Sequence, residues 1–123
     1  MKILLIDDSK FSRMSMIKLL REALPEAEII EAGGSSEGIE MFDAENPDVI
    51  LTDLVMPDMN GDGVVKHIRS KNQTCFVGVS SANIQRMVQE EMIEAGADIF
   101  LEKPISMPKI NDLLEALQKK NQS

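Results

Sequence analysis

Five short apolar runs, Lys2 to Ile6, Glu28 to Glu31, Val49 to Thr52, Phe76 to Val79 and Ile99 to Leu101, alternate along the chain with longer segments of helical period. None of the runs alternates strictly between polar and apolar residues, as expected of parallel strands covered by helices on both faces. The alternation therefore predicts a doubly wound α/β domain with a parallel sheet. Between the runs, Phe11, Met14, Ile17, Leu20 and Leu24 form one predicted helical stripe; Ile84, Met87 and Val88 begin another, and Met107, Ile110, Leu114 and Leu117 make a third. Shorter helices that carry glycine are predicted over Ser36 to Glu45 and Gly63 to Ser70. Proline, glycine and asparagine fall between these elements, at Pro25, Asn46-Pro47, Asn60-Gly61 and Gly96, where turns are needed. Residues 1–123 are read as one domain with a core from about 2 to 118, and Lys119 to Ser123 as a frayed polar tail.

Four of the runs end in residues that a packed core would not choose: Asp7-Asp8, Asp53, Ser80-Ser81 and Glu102-Lys103. In an open α/β sheet, the carboxyl ends of the strands are where ligands bind. Asp7 or Asp8 alone could simply cap the following helix, as could Ser9. The pair together with Asp53 is harder to explain that way, because two carboxylates about 5 Å apart repel by about 3 kcal/mol at an effective dielectric of about 20. Such a cluster calls for a cation or a retained proton. Its side-chain donors are all hard oxygens, which favours Mg²⁺ over zinc or copper. With a metal and the Lys103 ammonium to neutralise incoming phosphoryl oxygens, Asp53 could act as a nucleophile and form an acyl phosphate. Lys103 in isolation reads rather as a solvated loop lysine, since Lys-Pro is a common dipeptide, and Ser80 and Ser81 read as turn caps. The sole histidine, His67, falls on a charged helix side and is expected at the surface; Asp58 and Asp62 are expected to be solvated loop carboxylates.

Composition narrows the classes of partner. The chain has 13 basic and 21 acidic residues and a net charge of -8, so it offers no broad basic surface for nucleic acid or anionic lipid. No run reaches the roughly 18 apolar residues of a membrane span, and the single cysteine, Cys75, opens an apolar run, which together favour a cytoplasmic protein with a buried thiol.

The ordered set as a whole, an acidic pair after the first strand, Asp53 followed by Met56-Pro57 and Gly61, then Ser81-Ala82 and Lys103-Pro104, resembles the response-regulator receiver domains of two-component signalling, in the stand-alone CheY-like form. The resemblance spans residues 2 to about 118. It implies a flavodoxin-like fold with five parallel strands in the order 2-1-3-4-5, flanked by five helices. It also implies Asp53 as phosphoacceptor, Asp8 as a direct Mg²⁺ ligand, Asp7 as a ligand chiefly through water and the Val55 carbonyl as a further ligand. Ser81 matches the switch hydroxyl, Lys103 the lysine that pairs with a phosphoryl oxygen and Phe100 the aromatic switch position, for which ordinary core packing is an equal alternative.

Implied with these roles are a histidine kinase as phosphodonor, a downstream protein target, chemotaxis as one setting, and a surface switch on the fourth helix, fifth strand and fifth helix. The domain would catalyse its own phosphorylation and dephosphorylation rather than act as a metabolic enzyme. The chain departs from the family pattern at Val55, where a polar side chain is common. Valine cannot orient a hydrolytic water, although Asn83 could restore some of that orientation. Serine replaces the commoner threonine at position 81, and Phe100 lacks a tyrosine hydroxyl. Two other readings stand beside this one: a receiver acting as phosphate sink or constitutive adaptor, and a flavin- or nucleotide-binding domain of the same architecture. The second would have to bind phosphate next to Asp7-Asp8-Ser9, where carboxylates repel it.

Overall fold

The computed structural model describes residues 1–82 and 85–122, so the expectations for Asn83, Ile84 and Ser123 lie outside the described residues. Its strands are β1 (Lys2–Ile6), β2 (Glu28–Ala32), β3 (Val49–Asp53), β4 (Phe76–Ser81) and β5 (Ile99–Glu102). The helices are α1 (Lys10–Ala23), α2 (Ser35–Glu45), α3 (Gly61–Lys71), α4 (Arg86–Ala95) and α5 (Met107–Asn121). All four strand pairings are parallel, in the order β2-β1-β3-β4-β5, which is the expected doubly wound topology. Four strands run further than their apolar residues alone suggest. The parallel ladder continues through Ile6↔Ala32, Asp53↔Ser80 and Ser81↔Glu102, so these chain-end residues keep strand pairing.

Alternate side chains of each central strand enter two cores, one on each face of the sheet. Leu4, Ile6, Ile50, Val77 and Val79 pack with Phe42 of α2, Val64, Val65 and Ile68 of α3 and Met92 of α4. Ile3, Leu5, Val49, Leu51 and Phe76 pack with Met16, Ile17 and Leu20 of α1 and with Ile110, Leu113 and Leu117 of α5. Both faces of the strands are thus apolar, which is why the runs show no polar alternation.

The predicted stripe on α1 is corrected by this packing. Phe11 is 79% exposed and Met14 60%, while Met16, Ile17 and Leu20 are buried. At about 100° per residue, each three-residue step falls about 60° behind a full turn, so three steps place Phe11 about 180° from Leu20. The buried stripe instead runs upward through Ile17 and Met16 to Arg13. On α4 the side chain of Met87 is likewise exposed, with Met92 taking the core position. The supposed tail is helical through Asn121, and Lys120 Nζ lies 2.9 Å from Asp98 Oδ2, joining the end of α5 to the turn before β5. His67 is more engaged than a free surface residue, with Nε2 3.0 Å from Asp43 Oδ1 and its ring edge-on to Phe42, so it links α3 to α2.

Candidate functional site

The strand order reverses at β1 and β3: from β1 the chain winds outward to β2, then crosses back to β3 on the other side. Carboxyl ends of strands at such a reversal leave a crevice between the diverging connections. Asp7 and Asp8 leave β1 there, and Asp53 ends β3 beside them. One carboxylate oxygen from each of Asp7, Asp8 and Asp53 lies within 4.8 Å of the other two. Asp7 is buried, Asp53 is partly buried and Asp8 faces solvent. This is an all-oxygen donor set open on one side, which fits a hard divalent cation that retains several waters.

Ser9, and neither aspartate, is the N-cap of α1, its Oγ accepting the Ser12 N–H at 3.2 Å. Asp7 is held from several directions. Its Oδ1 accepts the Ser9 N–H at 2.9 Å, and its backbone carbonyl accepts from the Arg13 guanidinium at 2.6 Å. Arg13 also pairs with Glu31 of β2 at 3.0 Å, so it ties α1, the Asp7 turn and the edge strand together.

Lys103 enters the same crevice from the end of β5. Its Nζ stands 2.9 Å from Asp7 Oδ2 and 3.5 Å from Asp53 Oδ1. Burial opposes the charge on this lysine, but the hydrogen bond it donates to Asp7 and the field of Asp53 outweigh it and raise the ammonium pKa. Asp53 moves upward as well, chiefly through burial; Lys103 works against that rise and Asp7 adds to it. Asp53 Oδ1 also accepts the Leu54 N–H at 2.9 Å. A partly buried carboxylate with raised basicity and a cation beside it has the features that nucleophilic attack on an anionic electrophile requires.

The remaining expected residues lie on β4, on β5 and in the loop after β3. Ser80 pairs with Asp53 across β3 and β4, and Ser81 is buried one residue further on, its carbonyl accepting the Lys103 N–H at 2.8 Å. Val55 is 62% exposed beside the cluster. Phe100 is half-buried, paired with Val79 in the ladder and packed against the core under α3 and α4.

Asp58, read from sequence as a solvated carboxylate without a role, instead caps a helix distant in sequence. Its oxygens accept the Ser35 N–H at 3.2 Å and the Ser36 N–H at 2.9 Å. Those two bonds, Ser36 first, hold its pKa down to about 2. The N-cap of α2 is Gly34, which has no side chain to accept the free amides of the first turn. A Gly-Gly pair before a predicted helix was the available signal that the cap had to come from elsewhere. Ser35 Oγ meanwhile donates to the Met59 carbonyl, so the loop after β3 is bound to α2 from both sides. A carboxylate with its pKa depressed in the folded state contributes stability above its unfolded value and loses it as the pH falls through the folded one. Asp58→Ala should therefore melt below the wild type at pH 7, and the gap should close as both are titrated from about pH 4 towards pH 2. Thermal unfolding at a series of pH values measures it; a gap independent of pH would refute the cap.

Comparison with known proteins places this geometry in a family. The description that matches the chain is the response regulator receiver domain, over residues 3–117. The chemotaxis protein CheY of Thermotoga maritima is 30% identical over 118 residues, covering 96% of this chain and 98% of that protein. A cyclic di-GMP phosphodiesterase from the same organism is 35% identical over 107 residues, 87% of this chain but only 28% of the enzyme. In fold, the crystal structure of a CheY-like receiver domain protein from Methanospirillum hungatei superposes with a TM-score of 0.88 over 98% of this chain and 96% of that one, at 20% identity.

Proposed function

The chain belongs to the CheY-like response regulator receiver family of two-component signalling, and on that premise we propose that it accepts a phosphoryl group from a histidine kinase on Asp53 and signals through an altered surface. The strongest support comes from the Lys103 ammonium, which sits between Asp7 and Asp53 at 2.9 and 3.5 Å. From there the ammonium is within reach of an oxygen of a phosphoryl group bonded to Asp53. Asp53 Oδ attacks phosphorus, the bond from phosphorus to the donor nitrogen breaks, and the donor imidazole departs. Asp7, Asp8 and Asp53 would hold Mg²⁺ with the Val55 carbonyl, and the ion, when bound, neutralises the phosphoryl oxygens and the repulsion among the carboxylates. Lys103 stabilises the charge that develops on the transferred group.

Ser81 then supplies the link from chemistry to surface. It lies at the end of β4, joined to Lys103 by a backbone hydrogen bond of 2.8 Å, and Phe100 lies in the next strand. A phosphoryl oxygen that draws the Ser81 hydroxyl inward pulls on the connection to α4 and biases two arrangements of the α4-β5-α5 face. A downstream protein reads the favoured arrangement. The protein should therefore show changed amide exchange in α4, β5 and α5 after phosphorylation by acetyl phosphate with Mg²⁺. Ser81→Ala should still be phosphorylated but lose most of that change. Labelled wild type with no change on this face would favour a phosphate sink and contradict the switch.

A further inference from the structure

Resting on the phosphotransfer reading of Lys103, we propose that Lys109 is the positioning residue that fixes the turn from which Lys103 reaches the site. Lys109 lies in the first turn of α5, where the amide end of the helix dipole disfavours a cation. Its surroundings account for it. The Lys109 ammonium donates to the Glu102 carbonyl at 2.7 Å and to the Pro104 carbonyl at 2.9 Å, the two carbonyls that flank Lys103 in the chain. On the other side, the Lys103 N–H donates to the Ser81 carbonyl at 2.8 Å. The backbone around Lys103 is thus held at three points, two of them by a single side chain.

Lysine is a point charge on a flexible stem, so its placement depends on where the stem begins. Without Lys109, the peptide units on either side of Lys103 lose those two partners and turn to water, and the ammonium is no longer confined between Asp7 and Asp53. Positioning of this kind is felt in rate, because small displacements of a charge-stabilising group cost transition-state stabilisation. The contact is one that sequence spacing does not announce: Lys109 is six residues beyond Lys103 and separated from it by a turn.

Lys109→Met keeps the length and apolar stem of the side chain and removes all donors. In this variant, amide exchange at Lys103, measured by NMR without Mg²⁺ or phosphodonor, should quicken about tenfold. Phosphorylation by acetyl phosphate with Mg²⁺ should slow about fivefold. Lys109→Arg, whose planar fork can serve both carbonyls, should stay near the wild type in both measurements. In a Lys103→Met background, Lys109→Met should slow phosphorylation no further, since there is no ammonium left to position. Unchanged exchange at Lys103, or equal slowing in both backgrounds, would overturn the assignment. A wild type that takes up no phosphoryl group would instead sink the phosphotransfer reading, and exchange at Lys103 would still test the clamp.

Discussion

Asp53→Asn is expected to melt at a higher temperature than the wild type in Mg²⁺-free buffer at pH 7, while taking up no phosphoryl group. The two effects have one cause. Asp53 is largely buried, with only 13% of its side chain exposed, and burial is the main reason its pKa is raised, with the Asp7 charge adding to it. An acid whose pKa is higher folded than unfolded costs the fold stability once the pH exceeds the ordinary carboxylate range. Repulsion between carboxylates about 5 Å apart is about 3 kcal/mol at an effective dielectric of about 20, and the Lys103 ammonium offsets part of it. A net gain of about 1 to 2 kcal/mol for the neutral amide follows. The sign of the pH dependence is fixed: the advantage of Asp53→Asn should grow as the pH rises through the folded pKa of Asp53 and vanish below the unfolded one. The amide cannot serve as nucleophile, so labelling should fall to background. A destabilised Asp53→Asn would show that the carboxylate is a structural group.

Asp8→Ala should weaken Mg²⁺ binding at least about 30-fold, or about 2 kcal/mol, with the metal-free protein melting within about 0.5 kcal/mol of the wild type. That separation follows from the division of labour at the end of β1. Asp7 is buried, accepts from Ser9 and pairs with Lys103, whereas Asp8 is exposed and no other described residue hydrogen-bonds to its carboxylate. Ser9 caps α1, so removing Asp8 frays no helix. Calorimetric titration with Mg²⁺ gives the affinity directly. The thermal shift at saturating Mg²⁺ gives it a second time, because a ligand that binds only the folded state stabilises it by RT ln(1 + c/Kd), where c is the free Mg²⁺ concentration. Wild-type affinity in Asp8→Ala would mean that the cluster is held without a metal.

The sheet and the centre of the site were legible because the sequence pattern and the geometry share a cause. A parallel strand covered on both faces must be apolar along its length, so a run that stops at Asp7, Asp53 or Lys103 marks the place where the chain leaves the core. Parallel pairing then brings all those stopping points to one edge. The helices carried less information. Phe11, Met14 and Ile17 look like a stripe when counted in threes, but the buried face of α1 continues through Met16 to Arg13, a polar residue whose partners are a carbonyl at the end of β1 and a carboxylate on β2. Nor could spacing reveal that Asp58 caps a helix that begins 23 residues earlier, or that Lys109 spans both sides of Lys103. These are contacts of loops with helix ends and other loops. They depend on how connections fold over the sheet edge, and that has no period in the sequence.

The most direct measurement is to incubate the protein with acetyl phosphate, with Mg²⁺ and with Mg²⁺ withheld by a chelator, and to locate the modification by peptide mass spectrometry. A single phosphoryl group on Asp53, formed only with Mg²⁺, is the predicted result. A phosphoryl group on another residue, uptake undiminished by the chelator, or equal uptake by Asp53→Asn would contradict the assignment of this site.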